Sequence, residues 1–79
     1  MAHEGEFGTG RTFALTQFGI SALDRGIPSG VMEGIMKEMF EDGPITSTDI
    51  ISEYTSVEPM MLKRILDEAI SKGWVEVIE

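Results

Sequence analysis

Between Gly43 and Val57 the chain reads Gly43-Pro44-Ile45-Thr46-Ser47-Thr48-Asp49-Ile50-Ile51-Ser52-Glu53-Tyr54-Thr55-Ser56-Val57, and this stretch decides the fold. Gly43 suits the residue after a helix end, and Pro44 stops any continuation. Thr46 is placed as an N-cap for a new helix, with Asp49 three residues on in a variant of the capping box. Ile45, just before the cap, is spaced to pack on Ile50 as a hydrophobic staple. Ile50, Ile51 and Tyr54 then share the inner side of a short helix, and Thr55-Ser56-Val57 make a turn.

Downstream, a longer helix begins near Pro59, whose missing N–H costs nothing in a first turn. Its stripe is Met61, Leu62, Ile65, Leu66, Ala69 and Ile70. Lys72 and Gly73 end it, and Trp74-Val75-Glu76-Val77-Ile78 alternates as a strand with Val75 and Val77 on one side. Upstream, Ser29 or Gly30 opens a helix with Glu33 in its first turn, where the helix dipole favours an anion. Val31, Ile35, Met36, Met39 and Phe40 form its apolar stripe. Further back, residues 11–16 read as a strand with Phe13 and Leu15 on one face. Thr16 caps a short helix through about Arg25, with Phe18, Ala22 and Leu23 inward, and Gly26-Ile27-Pro28 ends it. Gly5, Gly8 and Gly10 mark residues 1–10 as a flexible arm ahead of a single domain over residues 11–79.

Seventy-nine residues suffice for one domain. The absence of cysteine removes disulfides and thiolate metal sites and fits a reducing compartment. No apolar run reaches the roughly 18 residues of a membrane span. The first six residues lack the basic start and apolar stretch of a signal peptide. A soluble, cytoplasmic protein that is not membrane-bound is expected. Six Lys and Arg against fourteen Asp and Glu give a net charge of −8. Residues 1–28 contribute −1 (two basic, three acidic) and residues 29–79 contribute −7 (four basic, eleven acidic). Such a field repels phosphate at long range, which opposes non-specific DNA binding.

The order and spacing of these elements over residues 31–78, about three-fifths of the chain, resemble a winged helix-turn-helix domain. The resemblance is carried by the apolar first helix, Gly43-Pro44-Ile45-Thr46-Ser47, the short helix, the turn with Val57, and the long helix running into Ile70-Ser71-Lys72-Gly73-Trp74-Val75. It implies a mainly α, α+β fold: about four helices and a small two- or three-stranded sheet. A family member normally continues from the strand after its last helix into a hairpin, the wing. Here one residue follows that strand, whereas Leu15-Thr16-Gln17-Phe18-Gly19 looks like the "Leu-Thr-x-x-Gly" that follows a returning wing strand. A permuted arrangement is therefore expected, with residues 11–16 beside residues 74–78, since a lone strand leaves its backbone groups unpaired.

The resemblance further implies a DNA-associated transcriptional regulator that sets its last helix in the major groove. Lys63 and Arg64 are the candidate base or phosphate contacts, Met60 shares their face, and Ser56 and Lys72 are placed to touch backbone. Lys63–Asp67 and Arg64–Glu68, both spaced i, i+4, alternatively form solvated ion pairs worth about 0.2–0.5 kcal/mol each. The same scaffold without DNA binding would be an adaptor for a protein partner, consistent with the acidic charge and with Met60 off the apolar stripe. A homodimer is compatible with both readings.

No catalytic, metal or cofactor site is expected. Gly5-Glu6-Phe7-Gly8-Thr9-Gly10-Arg11-Thr12 nearly matches a phosphate-binding loop, but Arg11 stands where Lys is required and a strand follows instead of a helix. His3 is the only histidine. The carboxylates Glu38, Glu41 and Asp42, and Glu4 with Glu6, read as solvated acidic patches with no cleft around them.

Overall fold

Thr12–Leu15 form the first strand, β1, and the sheet is built around it. Ile45–Thr46 (β2) pair with it on one side and Val75–Val77 (β3) on the other, both antiparallel, in the order β2–β1–β3. Phe13 stands opposite Ile45 in one strand and Val77 in the other, and its ring is buried. The structure, a computed structural model, describes residues 10–78. All but Gly10 of the arm read over residues 1–10, including His3 and most of the phosphate-loop-like stretch, lies outside the described residues.

Four helices complete the fold: α1 (Gln17–Asp24), α2 (Gly30–Asp42), α3 (Ser47–Glu53) and α4 (Pro59–Ser71). The expected caps are in place at α1 and α3. The hydroxyl of Thr16 accepts the N–H of Gly19 and that of Thr46 accepts the N–H of Asp49, both at 3.1 Å. Ser29 occupies the N-cap of α2 without a side-chain bond, and Glu33 lies in that helix's first turn. Ile45 and Ile50, the expected staple, are both in the core.

The core joins every layer. Ile35, Met36 and Met39 of α2, Ile50 of α3, and Leu62, Leu66 and Ala69 of α4 close over Phe13, Ile45 and Val75 of the sheet. Fully burying an aliphatic side chain of this size contributes about 1.5–3 kcal/mol. The stripe of α4 is thus seated across its neighbours.

The pairing of residues 11–16 with residues 74–78 is present, as Phe13↔Val77, Ala14↔Glu76 and Leu15↔Val75. Backbone bonds continue it at both ends, from the N–H of Ile78 to the Thr12 carbonyl and from the N–H of Thr16 to the Trp74 carbonyl, each 2.9 Å. The Leu15-Thr16-Gln17-Phe18-Gly19 motif has a direct physical role at this corner. The Thr16 hydroxyl, besides capping α1, is shared between the carbonyls of Gly73 and Trp74, the latter at 3.0 Å. A Cβ on Gly19 would overlap the Trp74 carbonyl oxygen and lie 2.7 Å from Leu15 Cδ1. The glycine is what lets α1 approach the α4–β3 corner so closely.

Three side chains depart from the expected inward stripes. Phe18 is 63 % exposed, because the inward positions of α1 are taken by the small residues Gly19 and Ala22. Phe40 is 60 % exposed, lying along the cleft between α1 and α2 rather than under either helix. Met61 is exposed on a flank of α4, whose buried line is Leu62, Leu66 and Ala69. The sheet also has a strand that periodicity did not reveal. Ile45–Thr46 act as β2 while Thr46 caps α3, so two residues serve both elements.

Candidate functional site

The outer side of α4 follows from how its inner side is held. With Leu62, Leu66 and Ala69 buried, the 3.6-residue repeat puts Met60, Arg64, Asp67 and Ser71 on the opposite side. Lys63 falls on one flank and Glu68 with Lys72 on the other. The structure therefore brings Met60, Lys63 and Arg64 together on the N-terminal half of α4, where Met60 is 63 % exposed. Ser56 is exposed in the turn that leads into the helix.

Lys72 does not join them. It caps the end of α4 about 12 Å beyond Arg64, at 1.5 Å per residue, and turns toward a cleft of about 500 Å³ between α4 and the start of α2. There its ammonium lies 5.5 Å from the centre of the Trp74 ring and 3.9 Å from the Glu68 carboxylate. Of the ion pairs expected on α4, Lys63–Asp67 forms, at 2.7 Å. Arg64–Glu68 does not; Glu68, four residues from each, pairs with Lys72 instead. Among the described residues Arg64 has no ion-pair partner, and it shares the outer side of α4 with Asp67, between Lys63 on one flank and Glu68 with Lys72 on the other.

A second electrostatic feature lies between α2 and α3. The Glu38 carboxyl is lifted to about 7 by a hydrogen bond shared with Glu53, then by partial burial and by repulsion from Glu53, Asp42 and Asp49. Burial and the charges of Glu38 and Glu53 raise the Tyr54 hydroxyl as well. A Cβ on Gly34 would lie 2.8 Å from the Tyr54 hydroxyl, so the ring packs against α2 one turn before Glu38. Sequence spacing grouped Glu38 with Glu41 and Asp42. Its actual partner, Glu53, is on another helix, and only the packing of α3 reveals it.

Among the described residues no group of three or more His, Asp or Glu is placed to hold a metal ion, and no helix is long and apolar enough to cross a membrane. No protein-family model, curated protein or solved structure matches the chain.

Proposed function

We propose that this chain is a helix-turn-helix domain of the winged-helix kind that binds DNA as a transcriptional regulator, with α4 in the major groove. The observation that carries this reading is the charge balance on the solvent side of α4, where Lys63 and Arg64 match Asp67 and Glu68 in a molecule of net charge −8. Arg64, without an ion-pair partner among the described residues, is the side chain best placed to reach guanine or phosphate. The architecture supports it. α3 and α4 meet across the Tyr54–Glu58 turn, and β1 lies antiparallel beside β3 as the second strand of a wing hairpin would.

Fluorescence anisotropy with labelled duplex DNA tests the reading. Binding is expected at low salt and falls as salt rises, with a slope reporting the phosphates neutralised. Lys63→Ala with Arg64→Ala should abolish it, and undiminished binding by that variant removes both residues from the model.

One observation favours a second reading, an adaptor that holds a protein partner on the same helix. Both lysines near α4 are tied to carboxylates, while Met60 and Met61 stand exposed at its start. Adaptable methionines suit a protein surface better than a phosphate backbone. Under this reading no duplex binds at any salt concentration.

A further inference from the structure

The largest apolar side chain that the core leaves out of α2 is Phe40, and it is not isolated. Phe40 and Ile20, 60 % and 43 % exposed, both line two adjoining clefts and so form the ridge between them. One cleft, about 340 Å³, runs between α1 and α2 past Leu23, with Asp24, Lys37 and Glu41 along it. The other, about 390 Å³, is floored by Ala14, Leu15, Met39 and Pro44. An enclosed cavity of about 150 Å³ holds a benzene ring, so either cleft has room for a phenylalanine side chain.

We infer that this face pairs with a second copy of the same chain, Phe40 of each copy entering the α1–α2 cleft of the other. Two features select a second copy over a different protein. First, knob and cleft lie side by side on one patch, which is the self-complementarity that a twofold contact requires. Second, the cleft carries both signs of charge, Lys37 with Asp24 and Glu41, whereas the rest of this strongly acidic chain would favour a uniformly basic partner. An antiparallel crossing of two α2 helices about an axis beside Met39 and Phe40 sets Lys37 of each copy opposite Glu41 of the partner subunit. The bond that Lys37 makes within its own helix, 3.4 Å to Glu33 in an exposed pair, is weak enough to be exchanged. The face is separate from the outer side of α4, so the inference does not rest on DNA binding.

Sedimentation equilibrium of the full chain, without DNA, from about 10 to about 500 μM tests it. The expected result is a mass that rises from monomer to dimer with concentration. Phe40→Ser should return the protein to monomer with an unchanged circular dichroism spectrum, since the side chain is outside the core. Lys37→Glu and Glu41→Lys should each weaken the dimer about tenfold. Mixing the two variants should restore it, because every contact in the mixed dimer then joins opposite charges. A monomer at every concentration, a dimer that Phe40→Ser leaves intact, or no recovery on mixing overturns the inference.

Discussion

Gly19 lies in the first turn of α1 and Gly34 inside α2, helical positions where alanine is ordinarily the better residue by up to about 1 kcal/mol. Their surroundings give them opposite expectations. An added methyl at Gly19 meets the Trp74 carbonyl oxygen, and backbone there is fixed by the bond that Thr16 N–H makes to it. Overpacking of this kind costs about 1–3 kcal/mol and exceeds the helical gain, so Gly19→Ala should destabilise by about 2 kcal/mol in chemical denaturation. At Gly34 the obstacle is the tip of the Tyr54 side chain, which can swing aside, and Gly34→Ala should be close to neutral. Equal losses for both would mean that α1 does not rest on the α4–β3 corner as described. Glu38 gives a second prediction at this scale. Its folded-state value of about 7 lies above the ordinary 4.5, so the folded protein binds the proton more tightly than the unfolded chain. The stability this confers is complete below about pH 4.5 and is lost as pH rises through about 7. With Glu38 only partly buried, solvent screening reduces the effect to about 0.5–1 kcal/mol, which a domain of this size shows as a few degrees in melting temperature. Glu38→Gln keeps a hydrogen-bond donor toward Glu53 and should flatten the melting temperature between pH 5 and pH 8. A variant that retains the wild-type slope would assign it to other groups.

Among the elements, α3 depends most on its ends. It has seven residues, too few for a helix to persist on propensity alone, and is held by the Thr46 cap and the buried Ile50. Thr46→Ala should cost about 1 kcal/mol and speed hydrogen exchange at the Asp49 amide, whose bond to Thr46 it removes. Exchange unchanged at Asp49 would show that the cap is dispensable. The same boundaries explain what could be read before any coordinates. Caps, prolines and glycines act locally, so the starts of α1, α3 and α4 and the stop at Asp42-Gly43-Pro44 were legible, as was the pairing of the terminal strands from their need for a partner. β2 was hidden because two residues have no periodicity and Thr46 already read as a cap. The inward placement of Phe18, Phe40 and Met61 failed because periodicity counts apolar residues, whereas α1 buries a glycine and an alanine. Of the candidate site, the face shared by Met60, Lys63 and Arg64 was legible from helical spacing. The diversion of Lys72 to Trp74 and Glu68, and the meeting of Glu38 with Glu53, are products of tertiary packing that spacing within one helix does not contain.

For the whole molecule, the charge of −8 opposes both DNA binding and the pairing of two copies, but added salt acts on the two in opposite senses. DNA binding through Lys63 and Arg64 gains from releasing the counterions of phosphate, and that gain shrinks as salt rises. Pairing of two copies through Phe40 and Ile20 gains from apolar burial, which moderate salt hardly changes, and is opposed by the repulsion of two strongly acidic bodies. Salt weakens that repulsion, since the screening length falls from about 10 Å at 0.1 M to about 3 Å at 1 M. The exchanged contacts of Lys37 and Glu41 lie at an exposed rim, where an ion pair contributes about 0–1 kcal/mol, too little to reverse the trend. Between about 0.05 and 0.5 M sodium chloride, duplex affinity measured by anisotropy should therefore fall while the dimer measured by sedimentation tightens. Phe40→Ser should remove the second slope and leave that of a monomeric DNA complex, and Lys63→Ala with Arg64→Ala the reverse. A dimer that loosens with salt in parallel with DNA binding would mean that charge pairs, rather than the Phe40 ridge, hold the two copies together.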